Sequence, residues 1–121
     1  MKHENNVSQR PWGHFKMLYQ EPGFWVKRVE VLPQSRLSLQ KHRGRSEKWI
    51  IVQGSGLAIV DKKDIPVRTG MVVDIPLGAV HRIGNHGQEK LIFIEVACGE
   101  HLSEDDIERL QDDYNRSSKT I

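Results

Sequence analysis

Two stretches of the sequence decide the fold, residues 40–54, QKHRGRSEKWIIVQG, and residues 70–85, GMVVDIPLGAVHRIGN. The first places Gln40, His42 and Glu47 close together and ends at a glycine. The second carries a histidine just after a proline–glycine turn. Imidazole, carboxylate and amide groups offer the nitrogen and oxygen atoms that divalent transition metals bind. The two stretches therefore predict a site for one divalent metal ion. Its predicted ligands are Gln40, His42, Glu47 and His81.

Around these stretches, the chain contains many short segments rich in Val and Ile, separated by turns of Gly, Pro and Asn. Such segments predict short strands, and many strands at close spacing favour an antiparallel sandwich or barrel. The spacing expected of connecting helices between parallel strands is absent from the sequence pattern. The predicted strands are Phe15–Tyr19, Phe24–Leu32, Arg36–His42, Lys48–Val52, Leu57–Asp61, Ile65–Arg68, Met71–Ile75, Val80–Ile83 and Leu91–Ala97.

The C-terminal part of the sequence changes to acidic residues with a helical pattern. Ser103 is a suitable N-cap, and Asp106 follows it by three residues. Ile107, Leu110 and Tyr114 recur at helical spacing and would form one apolar stripe. We therefore predict a single domain over residues 1–121, with a flexible arm at 1–10, a barrel at 11–99 and a helix at 103–116.

Length and composition limit the possible functions. With 121 residues the chain has room for one domain, and its 18 Lys and Arg nearly balance its 16 Asp and Glu. Because no dense basic stripe is present, we expect no nucleic-acid partner. The single cysteine excludes an intramolecular disulfide. The sequence shows no signal-peptide pattern and no apolar run of membrane-spanning length, which predicts a cytoplasmic protein without a membrane partner.

The spacing of the two stretches resembles the two sequence motifs of the cupin superfamily. In the first motif, His42, Glu47 and Gly54 stand at the expected positions. Gln34 replaces its opening glycine, and Gln40 replaces its first histidine. The resemblance implies an all-β fold, the double-stranded β-helix or jelly-roll barrel, to which the predicted C-terminal helix would be added. The fixed positions of the second motif all match, at Gly70, Pro76, Gly78, His81 and Asn85.

A closer resemblance, from about Arg10 to Arg116, is to the type II phosphomannose isomerase domain. In that family the domain is often fused to a mannose-1-phosphate guanylyltransferase. This sequence shows no glycine-rich nucleotide loop, so we do not expect guanylyl transfer from it. The resemblance implies the interconversion of mannose 6-phosphate and fructose 6-phosphate through an enediolate. The matching segments are RPWG at 10–13, VKR at 26–28, residues 37–50, residues 75–85, IEV at 94–96 and the tail at 104–116.

The same resemblance assigns roles to individual residues. Arg45 matches the arginine that the family places beside the metal, which implies a catalytic role; an ion pair with a carboxylate is the alternative. Ser38, Lys27 and Arg116 are the predicted substrate-binding residues. Their structural alternatives are a hydrogen-bonded strand hydroxyl for Ser38, a solvated side chain for Lys27 and a cation at the helix end for Arg116. The implied cofactor is one divalent ion, zinc first, with cobalt, manganese, nickel, iron or magnesium as alternatives.

The sequence also departs from the family. Arg43, Gly44 and Lys48 stand where the family usually has histidines. These changes do not remove any of the four predicted ligands. They could change which metal is preferred and which sugar is the substrate, so neither is decided by the sequence. The base that moves the proton is also open, among Lys48, Glu95 and a metal-bound water.

Two other functions compete with the isomerase. One is a non-catalytic cupin that binds a sugar phosphate or sugar nucleotide and partners a separate guanylyltransferase. The other is a different metal-dependent cupin enzyme, such as an oxygenase or another sugar isomerase, because one fold supports many chemistries. The predicted partners are a small sugar phosphate and a second copy of the chain. We expect a homodimer because cupins often pair through their edge strands.

Overall fold

The computed structural model describes residues 7–116, which form twelve β-strands and no helix. Within this range no helix is long and apolar enough to cross a membrane. In chain order the strands are β1 Val7–Arg10, β2 Gly13–Glu21, β3 Phe24–Val31, β4 Ser35–Arg36, β5 Leu39–Lys41, β6 Ser46–Gln53, β7 Ser55–Val60, β8 Lys63–Arg68, β9 Val72–Ile75, β10 His81–Asn85, β11 Leu91–Cys98 and β12 Glu108–Gln111.

The strands form two antiparallel sheets. Sheet A has the order β1-β2-β3-β11-β6-β9, and sheet B has the order β12-β5-β10-β7-β8, with β4 pairing β10. Because side chains alternate along a strand, each sheet turns one face inward. The largest fully buried apolar side chains lie on these inner faces and include Trp25, Trp49, Phe93, Ile51, Ile83 and Leu91. The all-β, cupin-like fold predicted from the sequence is confirmed.

The predicted strands agree with the observed ones to within a few residues, with one exception. The predicted strand Arg36–His42 is interrupted, because β4 ends at Arg36 and β5 begins at Leu39. At the interruption Leu37 packs against the core while Ser38 is also buried. The segment is therefore not one continuous strand, and its side chains do not alternate regularly between two faces at the break.

The predicted flexible arm at 1–10 is wrong over its last four residues. Val7–Arg10 form β1, which pairs with β2 from Val7 opposite Lys16 to Arg10 opposite Gly13. Backbone hydrogen bonds to an open sheet edge require no apolar side chains, so the polar composition did not reveal this strand. Residues 1–6 lie outside the described residues.

The predicted helix at 103–116 is also wrong. Ser103 does cap a turn, since its Oγ accepts a hydrogen bond from the amide of Asp105 at 3.1 Å, but the turn does not continue as a helix. Residues Glu108–Gln111 instead pair with β5, and Asp112 caps a second turn by accepting from the amide of Arg116. A short helix is only marginally stable alone. The open edge of β5 can instead form backbone hydrogen bonds with the segment, and these bonds favour a strand.

Candidate metal centre

Three of the four predicted ligands converge at one buried point. His42 follows β5, Glu47 lies in β6 of the facing sheet, and His81 begins β10. One ligand atom from each residue lies within 4.8 Å of the other two, and all three side chains are buried. Residues separated by up to 39 positions in the sequence are thus brought together by the packing of the two sheets.

A tight turn aims His81 into the barrel. The amide of Ala79 donates to the carbonyl of Pro76 at 3.0 Å, and Gly78 has a φ of 80°, a conformation that favours glycine. His81 then enters β10 directly opposite Gln40 in β5. Gln40, the fourth predicted ligand, therefore lies on the strand next to that of His81.

The Nδ1 hydrogen bonds of the two histidines fix the tautomer in which Nε2 carries the lone pair. Nδ1 of His42 lies 2.7 Å from the carbonyl oxygen of Asp106, and Nδ1 of His81 lies 3.0 Å from that of Ala79. Because a carbonyl oxygen only accepts, each Nδ1 must carry the proton. The neutral rings then present an Nε2 lone pair to the site, which is the tautomer that a metal ligand needs.

The Glu47 carboxylate is held by donors on both oxygens. Trp49 Nε1 donates to its Oε1 at 2.8 Å, and Arg45 Nε donates to its Oε2 at 2.9 Å. The same Oε2 lies 3.3 Å from Nε2 of His42, so two acceptor atoms face each other. The Arg45 guanidinium donates to both of these atoms, and the donor set also suits a divalent metal ion.

The pKa values of the three side chains agree with metal binding. Burial is the main reason that the pKa of His42 is lowered to about 4, although the Glu47 carboxylate acts in the opposite direction. Burial likewise lowers the pKa of His81. Burial acts to raise the pKa of Glu47, but the cationic forms of His81 and His42 and the charge of Arg45 outweigh it and lower the pKa to about 2. At neutral pH the imidazoles are uncharged and the carboxylate is ionised, as metal binding requires.

Arg45 lies directly beside these three side chains. Its Nη2 is 3.2 Å from Nε2 of His42, and its Nη1 donates to the carbonyl of Ser103 at 2.9 Å. The guanidinium also lies over the ring of Trp25, 4.9 Å from its centroid. Together with its bond to Glu47, these contacts form the ion pair that was the alternative to catalysis, and they also fix a positive charge next to the candidate metal ligands.

A cavity of about 90 Å³ opens beside the cluster, between the two sheets. Glu47 and His81 line it, as does Gln40. The amide nitrogen of Gln40 donates to Oγ of Ser38 at 2.9 Å, which turns the amide so that its nitrogen is engaged and its oxygen remains the ligand-type atom. The predicted substrate-binding residues Ser38, Lys27 and Arg116 line the same cavity.

Lys27 is not the solvated residue that was its structural alternative. Its side chain is only 5% exposed, its Nζ pairs with Glu104 at 2.7 Å, and the ammonium lies over the rings of Phe15 and Trp25. Arg116 lies at the cavity as well, with its guanidinium paired to Asp112 at 2.9 Å. Since the helix is absent, its alternative role at a helix end is excluded.

The structure adds two features to the site: the position of Glu95, already one of the candidate bases, and a backbone segment that was not evident from the sequence. Glu95 faces the cavity from β11, directly opposite Lys27 in β3, and accepts a hydrogen bond from Trp25 Nε1 at 2.8 Å. The available signal was one charged residue in the otherwise apolar row of inward positions of each strand, Lys27 in β3 and Glu95 in β11. The segment around Ser103–Asp106 holds His42, Lys27 and Arg45, and no pattern could reveal this because the segment was predicted to be helical.

The fold and the site place the chain in the cupin class. A sequence family described as "Mannose-6-phosphate isomerase C-terminal" matches residues 1–112, and the chain belongs to this family. The resemblance that the sequence motifs indicated is thereby confirmed.

Curated relatives agree with this assignment. The alginate biosynthesis protein AlgA of Pseudomonas aeruginosa is 42% identical over 110 residues, which cover 91% of this chain and 23% of AlgA. A mannose-1-phosphate guanylyltransferase of Klebsiella pneumoniae is 38% identical over 107 residues, covering 88% of this chain and 23% of its own length. The chain thus spans about a quarter of the length of these relatives.

Solved structures share the fold at lower identity. The capsular polysaccharide assembling protein CapF of Staphylococcus aureus superposes with a TM-score of 0.77 at 22% identity, over 87% of this chain and 34% of CapF. KdgF from a Halomonas species superposes with a TM-score of 0.75 at 14% identity, over 87% of this chain and 94% of KdgF. At these identities the likeness establishes the fold alone.

Proposed function

We propose that the chain is a metal-dependent mannose-6-phosphate isomerase, an aldose–ketose isomerase that acts through an enediolate. The observation that carries this proposal is the convergence of His42, Glu47 and His81 beside a cavity that also contains cationic side chains. Membership of a family described by that activity supports it. Guanylyl transfer, which gives one relative its name, is not assigned to this chain.

The proposed cofactor is one divalent ion, with zinc the first choice for a site of two imidazoles, a carboxylate and an amide oxygen. When bound at Gln40, His42, Glu47 and His81, the ion supplies a Lewis acid that polarises the sugar carbonyl. The chain's own contribution is to hold both imidazoles in the correct tautomer through Asp106 and Ala79.

Arg45 is the proposed catalytic residue. Its guanidinium is fixed beside the candidate ligands, so its charge is already in place when negative charge develops on the sugar oxygens. Buried, oriented charge of this kind stabilises a transition state more than it would in water, because little reorganisation accompanies the reaction.

The positions of two candidate bases, Lys48 and Glu95, support a proposal for the base. Lys48 points out of the barrel, with a side chain that is 66% exposed and paired to Asp74. Glu95 faces the cavity, where burial and then the charge of Glu47 raise its pKa to about 8. A carboxyl group with a pKa near neutrality can both accept and return a proton, so we assign the transfer between C1 and C2 to Glu95.

A coupled assay for fructose 6-phosphate tests the proposal. Chelator-treated protein is reloaded with each divalent metal in turn and given mannose 6-phosphate. We expect turnover that requires a metal and that falls by at least about 10³-fold in His81→Ala, because a ligand is lost. His86→Ala, a histidine outside the cluster, is the matched control and should keep wild-type activity. Metal binding without turnover for any metal would contradict the proposal.

One observation favours a second candidate, a sugar-phosphate-binding cupin without catalysis. Arg45 already bonds to both His42 and Glu47, so these side chains have partners without a metal. If the protein lacks a metal after purification and gains none on incubation with zinc, but binds mannose 6-phosphate, this second function replaces the isomerase.

A further inference from the structure

The side chain of Asp106 binds two consecutive backbone amides next to the candidate metal centre. Its Oδ1 accepts from the amide of Arg43 at 2.9 Å, and its Oδ2 accepts from the amide of Gly44 at 2.8 Å. Each carboxylate oxygen therefore has its own donor, and hydrogen bonds to an ionised acceptor are stronger than those between neutral groups. The carboxylate thus ties the segment before β12 to the loop between β5 and β6.

That loop, residues 42–45, carries two residues of the site. His42, a candidate ligand, comes directly before the two bound amides, and Arg45 comes directly after them. Because the loop lies between β5 and β6, the regular backbone pairing of a strand does not hold it. The bonds from Asp106 take the place of that pairing, so they constrain where His42 and Arg45 lie relative to each other.

Asp106 also holds the imidazole of His42. Its carbonyl oxygen lies 2.7 Å from Nδ1 of His42, so acceptor atoms of one residue bind three consecutive residues. The backbone of the loop and the ring of its first residue are thereby fixed to the same point. Partners of this kind orient a metal-ligating histidine, and their removal typically lowers metal affinity about 10- to 100-fold.

The turn that carries Asp106 is itself fixed. The amide of Asp106 donates to the carbonyl oxygen of Ser103 at 3.2 Å, and Nη1 of Arg45 donates to the same oxygen at 2.9 Å. Glu104, which follows Ser103, pairs with the buried Lys27 at 2.7 Å. The carboxylate therefore projects from a turn with several anchors, as a side chain must if it is to set the position of a loop.

We infer that Asp106 is a positioning residue of the candidate metal centre, which acts through its bonds to residues 42–44 and does not touch the metal or the sugar. From the sequence pattern this side chain was expected only in the first turn of a helix. The inference deepens the proposed function and rests on it for the presence of a metal ion. The dependence of the loop on the carboxylate rests on the hydrogen bonds alone.

Zinc affinity of the full chain is the first test. A titration against a competing chelator compares Asp106→Ala and Asp106→Asn with the wild type. We expect the affinity to fall about tenfold or more in Asp106→Ala, and by less in Asp106→Asn, which keeps one acceptor atom for the two amides. Asp105→Asn makes the same change in the neighbouring, exposed carboxylate and should bind zinc as the wild type does.

Proton exchange in the metal-free protein is the second test, and it separates positioning from a general loss of stability. By nuclear magnetic resonance, we expect the Nδ1 proton of His42 to exchange with water about tenfold or more faster in Asp106→Ala, since the carbonyl that accepts it is no longer held beside the ring. The Nδ1 proton of His81, bound to the carbonyl of Ala79, is the internal reference and should exchange as in the wild type. Asp106→Asn carries both tests if Asp106→Ala does not fold.

Two results would overturn the inference alone. One is zinc affinity in both Asp106 variants equal to that of Asp105→Asn. The other is a loss of affinity without faster exchange at His42 relative to His81, as expected if the carboxylate acted only through its charge. The isomerase proposal fails separately, because zinc binding that depends on Asp106 without formation of fructose 6-phosphate leaves the positioning role and removes the isomerase. Wild-type protein that binds no zinc would overturn both.

Discussion

Arg45 and Arg43 are close in the sequence but lie in different surroundings. Arg45 touches His42 and Glu47, whereas Arg43, two positions earlier, is exposed. We predict that Arg45→Met lowers kcat about 10²–10³-fold, because a fixed donor to developing charge is lost, while zinc still binds. Arg43→Met is the matched control and should leave kcat unchanged. Steady-state kinetics with parallel metal analysis make the comparison, and full activity in Arg45→Met would contradict the assigned role.

Protonation of Glu95 should make the free energy of unfolding of the metal-free protein depend on pH. Burial raises its pKa to about 8, above the 4.5 of an ordinary glutamate, so between these values the folded state holds a proton that the unfolded state releases. Its contribution to stability is therefore complete below about pH 4.5 and is lost as the pH rises toward 8, by up to about 1.4 kcal/mol per pH unit.

Glu95→Gln cannot ionise, so its stability relative to the wild type should increase as the pH rises from about 5 to about 8. Urea denaturation at several pH values measures this difference. A difference that does not change with pH would show that Glu95 is already ionised in the folded protein.

The residue types of the site were largely predictable. Gln40, His42, Glu47 and His81 follow from motif spacing, and three of them are found within ligand distance of one another. The inward positions of Lys27 and Glu95 depend on which face of each strand is buried, and this is set by the register between β3 and β11. A single strand does not encode that register, since a shift of one residue exchanges its two faces.

Among the elements, the loop that carries Arg45 depends on a close backbone approach. A Cβ added at Gly99 would lie 2.0 Å from the carbonyl oxygen of Gly44, whereas one added at Gly87 would meet its nearest atom at 3.5 Å. We predict that Gly99→Ala costs about 1–3 kcal/mol and weakens zinc binding, since the loop must move. Gly87→Ala is the control and should do neither. Thermal denaturation and zinc titration of both variants test this, and equal effects would contradict it.

The misassigned helix shows where prediction of elements fails. Ser103 and the apolar spacing of the tail are genuine local signals for a helix, and the first turn does form. The segment becomes a turn followed by β12 because His42 and Arg45 bind its carbonyl groups and β5 binds its backbone. These partners lie some 60 residues earlier in the sequence, so local propensity could not reveal them.

For the whole molecule, the homodimer remains a prediction. The outer face of sheet A exposes Ile50, Val52 and Val72, and Ile50 lies directly opposite Val72 in the sheet. An apolar patch of this kind is often covered by a second copy. We expect light scattering to give twice the chain mass of 14.0 kDa, and Val72→Lys to shift the mass toward the monomer. A wild-type mass of one chain would refute the dimer.

The most direct test of the isomerase is to follow zinc-loaded protein with mannose 6-phosphate in deuterium oxide by nuclear magnetic resonance. Transfer through an enediolate predicts fructose 6-phosphate that carries deuterium at C1, and deuterium entering C2 of the remaining mannose 6-phosphate. In Glu95→Gln both signals should develop at least about 100-fold more slowly. If neither product nor exchange appears in the wild type, or if fructose 6-phosphate forms at the wild-type rate in Glu95→Gln, the proposed proton transfer is contradicted.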